Sequence, residues 1–347
     1  MKFSILSVTW LGLTAASNAF IFQPDTSNQV VDTRLPILYS ITESQTLTSN
    51  TTGTSSFWTS SHVTGNNSRQ YLIISHILVL VTTRTGFYCA SILDLTSMDK
   101  YTSYVAYANL TATQLSDFNL VTSNYGFSAV SPDKVSIMRT WSDYAGVTFN
   151  ITFEATTHAL FNGGTGALMY GSDTNDEWAL PACRTAGSLT LDGESVTIIP
   201  EHSVTWYDRQ WGLGAPTTGN WTWFEFHFDG TDTKASMWMI DNAQPYQRTR
   251  FATMRLQNRD MKVIPVSYEP NMNMTWTSDA TGIVYPLEWM IDMADDGFLA
   301  VQSPVADQEM VGSSMGDTAY EGFVTVFGIL RGMYVTGYGV VEMITAF

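Results

Sequence analysis

Hydrophobic residues in this chain recur with the period of a β-strand and almost never with that of a helix. Short runs of β-branched and aromatic residues, such as YLIISHILVLVT (residues 71–82), alternate with turn signals. An Asp192-Gly193 turn separates two such runs and predicts a β-hairpin, and a second hairpin is predicted around Asp229-Gly230. The pattern predicts an all-β fold.

The length of 347 residues suits two ordinary domains or one large β unit. Composition shifts near residues 187–200, so we predict one domain over residues 20–190 and a second over residues 191–347. Glycines at 328, 332, 337 and 339 interrupt the last strands where closing a barrel requires bends.

The formal net charge of −16 excludes some partners. A strongly acidic surface repels phosphate backbones, so nucleic acid is not an expected partner. The lysines are scattered and form no basic patch for a membrane surface.

The N-terminus has the pattern of a secretory signal peptide over residues 1–19, with Lys2 before an apolar run that is too short to span a membrane. We therefore expect a secreted protein without a membrane anchor. In that oxidising compartment Cys89 and Cys183 favour a disulfide, with two buried free thiols as the alternative. The predicted N-glycosylation sites are Asn50, Asn66, Asn109, Asn150, Asn220 and Asn273.

The segment NWTWFEFHF (residues 220–228) has two different faces. Its phenylalanines lie on one side of the strand, as an ordinary core face does. The other side carries Trp221, Trp223, Glu225 and His227. Such a mixture fits the wall of a cavity for a mostly apolar ligand. The alternative is a face packed on a second sheet, with its acid and imidazole at a wet edge.

Just upstream, WYDRQWG (residues 206–212) places the adjacent Asp208 and Arg209 between two tryptophans. A solvated ion pair at a strand end would also explain this stretch. No zinc-protease helix, paired C-x-x-C or P-loop is present, and the histidines lack ligand spacing. We therefore expect no metal and no cofactor.

Several motifs resemble those of the hydroxyneurosporene synthase (carotenoid hydratase) and AttH-like superfamily. They follow in the expected order over nearly the whole mature chain: SSFWTSSHV (residues 55–63), WYDRQWG, NWTWFEFHFDG, YPLEWMI (residues 285–291), AYEGFVTVFG and GYGVVEM. The resemblance implies two lipocalin-like antiparallel β-barrels with a ligand cavity in or between them. Its fungal, secreted branch includes kievitone hydratase-like enzymes and hetero-Diels–Alderases of tropolonic sesquiterpene biosynthesis.

The resemblance and the aromatic content favour a cofactor-free pericyclase that joins a quinone methide to a sesquiterpene alkene. Holding two apolar reactants together supplies most of such catalysis. Arg209, oriented by Asp208, or His227 would donate a hydrogen bond to the quinone-methide carbonyl. The expected substrate-binding residues are Trp58, His62, Trp206, Trp223, Trp289 and Tyr320.

Two alternatives remain open. A hydratase would add water to an isoprenoid alkene, with Asp208 and Glu225 as its acid and base. A non-catalytic lipocalin-like carrier would need the cavity without the polar cluster. In every case the expected partner is an apolar small molecule.

Overall fold

The computed structural model describes residues 19–32, 34–46, 53–216, 218–244 and 246–346. Residues 1–18 of the predicted signal peptide and the sequon at Asn50 lie outside this part of the chain. Antiparallel strands dominate, which confirms the all-β prediction. The α-helices are α1 (Ile41–Ser44) and α2 (Ala112–Asp117), and single 3₁₀ turns span Asn162–Gly164, Pro200–His202, Ala294–Asp296 and Met315–Asp317.

The first sheet has 13 strands. They are β1 (Thr54–Thr64), β2 (Gln70–Leu80), β3 (Thr85–Asp94), β4 (Tyr101–Asn109), β5 (Asn119–Val121), β6 (Tyr125–Ala129), β7 (Ile137–Tyr144), β8 (Val147–Glu154), β9 (Leu160–Phe161), β10 (Ala167–Tyr170), β11 (Asp173–Leu191), β12 (Glu194–Thr197) and β13 (Val204–Gly212). Its main order is β4-β3-β2-β1-β13-β11-β8-β7-β6-β5, and β9, β10 and β12 pair with β11.

The second sheet has 10 strands in the order β17-β16-β15-β14-β25-β24-β22-β21-β18, with β23 on β24. They are β14 (Gly219–Phe228), β15 (Lys234–Asn242), β16 (Gln247–Arg255), β17 (Met261–Pro265), β18 (Ser267–Pro270), β21 (Glu288–Asp292), β22 (Gly297–Gln302), β23 (Glu309–Met310), β24 (Ala319–Leu330) and β25 (Met333–Ala346); β19 (Thr275–Thr277) and β20 (Val284–Pro286) form a separate pair. Only Val266 separates the edge strands β17 and β18 in the chain, so the sheet curls into a nearly closed barrel.

The two sheets divide the chain later than the sequence suggests. The expected division between residues 190 and 191 falls at the end of β11, and β12 and β13 still belong to the first sheet. The chain passes to the second sheet between Gly212 and Gly219. The WYDRQWG motif therefore belongs to the first sheet and NWTWFEFHF to the second.

The first sheet curls into a half-barrel, here called the first barrel, and the second sheet is called the second barrel. Three apolar clusters fill the molecule: one inside each barrel and one between the two sheets, here called the intersheet layer. The two faces of β14 are as predicted. Phe224, Phe226 and Phe228 belong to the core of the second barrel, while Trp221 and Trp223 belong to the intersheet layer. The functional face of this strand is thus the one turned towards the first sheet.

The glycines in and between β24 and β25 do not interrupt these strands. They let neighbouring strands approach closely. Gly332 forms the turn from β24 to β25 with φ of 79°. Within β25, a Cβ on Gly339 would lie 1.8 Å from the carbonyl oxygen of Glu225. This glycine therefore lets β25 pack directly against β14.

The predicted disulfide is wrong, because both cysteines are buried free thiols. Cys89 lies in the intersheet layer, whereas Cys183 belongs to the core of the first barrel. Four strand spacings separate β3 from β11, about 19 Å along the sheet. A disulfide requires α-carbons within about 7 Å.

We expect a thiol reagent in denaturant to titrate two thiols in protein never exposed to reductant. Reductant should leave the melting temperature unchanged because no covalent bond is lost. Thiols that react only after reduction would contradict the two separate positions.

The sequons within the described residues all lie at the surface: Asn66, Asn109, Asn150, Asn220 and Asn273 are exposed. Exposure is what a glycan requires, and glycosylation itself stays a prediction. No helix in the described ranges is long and apolar enough to cross a membrane.

Candidate active site

Strand β13 splits the WYDRQWG motif between two faces of the first sheet. Because side chains alternate along a strand, Trp206 and Asp208 point into the intersheet layer, while Tyr207 and Arg209 point into the first barrel. The expected pairing of Asp208 with Arg209 is therefore wrong. Neighbours in sequence lie on opposite sides of the sheet.

Arg209 is a structural residue of the first barrel. Its guanidinium donates hydrogen bonds to the carbonyl oxygens of Ser44 (2.8 Å), Ser56 (3.2 Å) and Gln210 (2.7 Å). It also stacks over the ring of Phe57, with 4.3 Å from Cζ to the centroid. Burial lowers its pKa to about 10, which still leaves it charged at neutral pH. It cannot reach a ligand between the sheets.

Trp289 and Tyr320 were also expected to line the cavity, and they do not. Both belong to the core of the second barrel. The ring of Trp289 packs against Phe224 at 5.4 Å between centroids, and the hydroxyl of Tyr320 donates to the carbonyl oxygen of Val305 at 2.9 Å. Trp289 thus packs on the core face of β14, opposite the face that carries the indoles.

Two rows of directly paired residues face each other across the intersheet layer. In the first sheet the row runs Ala179, Asp208, Trp58, His76 and Cys89. In the second sheet it runs Trp238, Trp223, Glu342 and Glu321. Directly opposed side chains in a sheet are about 5 Å apart, so each row is a continuous surface.

Contacts across the layer join the rows. The indole Nε1 of Trp58 donates to Oε2 of Glu321 at 2.8 Å, and its ring meets Trp223 edge-on at 5.0 Å between centroids. Cys89 donates its thiol hydrogen to the other oxygen of Glu321 at 3.8 Å. These contacts hold Trp58 and Trp223 as a fixed aromatic corner.

Beside this corner lies a cavity of about 190 Å³, here called the indole cavity. Its aromatic walls are Trp58, Tyr170, Trp221, Trp223 and Trp238, and its acids are Glu177, Asp208 and Glu342. Such a combination of apolar walls and a few polar groups is typical of a small-molecule site. The sequence prediction of a cavity with Trp58, Trp223 and Asp208 agrees with this arrangement.

A second cavity, of about 220 Å³, has a different character. Its lining includes Asp25, Lys234 and Arg255, and Arg255 is paired with Asp25 at 2.7 Å. Charged lining side chains that already pair with one another do not suit an apolar ligand. We therefore place the candidate site in the indole cavity.

The carboxyl groups of the indole cavity are buried together, and burial favours their protonated forms. Glu177, Asp208 and Glu342 are 1 %, 6 % and 8 % exposed. Burial is the largest cause that raises the pKa of each group, and the mutual repulsion of neighbouring acids adds to it for Glu177 and Glu342. Oδ1 of Asp208 and Oε2 of Glu177 make no hydrogen bond to any described residue. The cluster can thus offer a proton from one carboxyl while another remains an acceptor.

His76 lines the cavity and lies beside Glu321. Burial lowers the pKa of His76 to about 3 and raises that of Glu321 to about 7. Their 3.9 Å contact is therefore no ion pair at neutral pH, although the charges would attract if both groups ionised. Nε2 of His76 hydrogen-bonds the hydroxyl of Ser56 at 2.8 Å, which fixes the ring.

The other predicted site residues lie further along the same strands, outside the indole cavity. Glu225 and His227 follow Trp223 at steps of two on β14 and do not line the indole cavity. Ser60 donates a hydrogen bond to Glu225. The rings of Trp206 and His62 lie 5.7 Å and 5.6 Å from that of His227. Glu225 as an acid in the cavity is thus a prediction that the geometry does not support.

Sequence reasoning placed Trp221 on the cavity face without assigning it to substrate binding, and it missed Glu177, Glu342, His76 and Trp238. Glu342 and the role of Trp221 were within reach. Glu342 ends the GYGVVEM motif and Trp221 precedes Trp223 on its face, so the quoted motifs already contained them. Glu177 and Trp238 become site residues only through pairing with distant strands.

Known proteins resemble this chain over its full length. Residues 64–346 match the AttH-like family. Kievitone hydratase of Fusarium solani subsp. phaseoli is 38 % identical over 98 % of this chain and 97 % of its own, and the dehydratase AsqC of Emericella nidulans is 35 % identical over 95 % of both. The crystal structure of kievitone hydratase from Nectria haematococca superposes with a TM-score of 0.87 at 36 % identity, covering 94 % of this chain and 99 % of that one. By both sequence and fold, the chain belongs to the AttH-like family.

Proposed function

We propose that this protein is a hydro-lyase. It adds water across a carbon–carbon double bond of an apolar small molecule, or removes water from an alcohol to form such a bond. The observation that carries the proposal is the group of buried carboxyls with raised pKa values in an indole-walled cavity. The relatives support it, since they are named as a hydratase and a dehydratase. We place the substrate among isoprenoid-substituted aromatic compounds such as kievitone.

Asp208 is the proposed proton donor. In the hydration direction its carboxyl proton passes to one alkene carbon, and the other carbon becomes cationic. Water then attacks the cation and loses a proton to a neighbouring carboxylate, Glu177 or Glu342, so that alkene and water yield an alcohol. Proton return to Asp208 completes the cycle. Dehydration is the same sequence reversed.

The aromatic walls suit this chemistry in two ways. Indole faces stabilise a nearby cation by roughly 0.5–2 kcal/mol each, more when water is excluded. They also exclude bulk water, which strengthens every charge interaction inside the cavity. Trp58, Trp221, Trp223 and Trp238 supply such faces on several sides of the ligand.

The pericyclase expected from the sequence is the weaker candidate. Its hydrogen-bond donor was to be Arg209 or His227, and neither lines the indole cavity. A cycloaddition also moves no net proton, so it gives no reason to bury three acids against indoles. A carrier leaves the same acids unexplained.

Incubation with kievitone tests the proposal. We expect wild-type protein to yield a product heavier by one water molecule, detected by mass spectrometry, and heat-denatured protein to yield none. A bound but chemically unchanged kievitone, with tryptophan fluorescence quenched on binding, would instead identify a carrier.

A further inference from the structure

We propose that His62, Glu225 and His227 form a binding site for one divalent transition-metal ion between the two sheets. The site is separate from the indole cavity and does not depend on the reaction proposed above. It also revises the expectation of no metal, which rested on the lack of histidine spacing in the sequence.

The fold brings the three side chains together from two sheets. Glu225 and His227 are two residues apart on β14 and share its inner face, while His62 approaches from β1 of the first sheet. Their ligand atoms all lie within 4.8 Å of one another. Ligands of a tetrahedral Zn²⁺ are about 3.3 Å apart, so binding requires the side chains to close by roughly an ångström.

All three residues have polar atoms that nothing nearby satisfies. His62 and Glu225 are 0 % exposed and His227 is 3 % exposed. Neither ring nitrogen of His62, nor Nε2 of His227, nor Oε2 of Glu225 has a hydrogen-bond partner in the described part of the chain, apart from the backbone of Gly339 beside the His62 ring. Leaving such groups unpaired in an apolar interior is costly. One metal ion would coordinate a lone pair from each residue.

Neighbouring side chains hold the three candidate ligands in place. Ser60 holds one oxygen of Glu225 and leaves the other free, as an outer-shell partner of a ligand does. Tyr338 packs against both imidazoles, with centroids at 4.8 Å from His62 and 5.0 Å from His227, and restricts their rotation.

A second group of ligand-type residues, His76, Cys89 and Glu321, lacks this character. His76 already hydrogen-bonds Ser56, and both oxygens of Glu321 accept hydrogen bonds from Trp58 and Cys89. Its polar atoms are satisfied without an ion. The unsatisfied set around His62 is therefore the one that we assign to a metal.

Because one ligand comes from the first sheet and two from the second, the ion would join the two barrels. Binding to the folded state alone raises the melting temperature, by about 4 °C at a hundredfold excess over Kd for a chain of this length. Three protein ligands leave a fourth position for water.

The test uses full-length protein stripped with a chelator and titrated with Zn²⁺, with bound metal measured by elemental mass spectrometry. We expect one equivalent per chain, a higher melting temperature, and with Co²⁺ the visible absorption of a tetrahedral site. His62→Ala and Glu225→Gln should lose all three signals, and Glu225→Gln keeps the size of the side chain in case the truncation unfolds the protein. The exposed His202→Ala is the matched control and should keep them. Absence of stoichiometric metal in the wild type, or unchanged binding in both variants, would overturn the site.

Discussion

Asp208→Asn lowers kcat for hydration of kievitone by at least about 10³-fold, the upper part of the range for loss of a general acid. Asparagine has nearly the same shape but no carboxyl proton to transfer. Binding changes little, because the indole walls remain in place. Steady-state kinetics gives kcat, and quenching of tryptophan fluorescence gives Kd.

The matched control is Asp143→Asn, an exposed acid of the first sheet that should keep wild-type kinetics. The pH dependence of kcat distinguishes the loss of a proton donor from a structural effect of the substitution. Burial raises the pKa of Asp208, so its proton-donating form is present below that raised pKa and is lost as pH rises through it, and kcat should fall over the same range. An Asp208→Asn variant with near wild-type kcat would exclude this residue as the proton donor.

Arg209→Met destabilises the protein by about 3 kcal/mol and leaves kcat of the folded protein unchanged. Methionine fills much of the space but leaves three carbonyl acceptors without their donor, each worth roughly 1 kcal/mol or more. Urea unfolding measures the loss of stability, and kinetics below the unfolding transition measure kcat.

Arg209→Lys serves as the comparison, since it keeps the charge but cannot bridge three carbonyls. It should fall between wild type and Arg209→Met in stability. A variant that unfolds like the wild type yet turns over tenfold more slowly would place Arg209 at the reacting atoms and contradict the structure.

The fold could be predicted well because its signal is local. Alternation along NWTWFEFHF separates core phenylalanines from functional indoles without knowledge of any other strand. The hairpin at Asp192-Gly193 follows from the backbone preferences of these two residues, because Leu191 pairs directly with Glu194, whereas the connection at Asp229-Gly230 is longer and runs from Phe228 to Lys234. The predicted division between the two domains is less accurate, because a composition shift does not report which sheet β12 and β13 join.

The site was only half predictable because it depends on pairing between distant strands. Asp208 and Arg209 were treated as a pair from their adjacency, although the same alternation that was applied to β14 places them on opposite faces of β13. Trp289 and Tyr320 share residue type with true wall residues but face the second core. Glu177 enters the cavity through the pairing of β11 with β13, about 30 residues apart, which no local pattern encodes.

The central claim is that the indole cavity transfers a proton to an alkene, and incubation with kievitone in heavy water tests it most directly. We predict that each hydrated product molecule made by the wild type carries one solvent-derived deuterium on carbon, and that Asp208→Asn makes almost no such product. A product formed at the wild-type rate without deuterium on carbon would contradict the account.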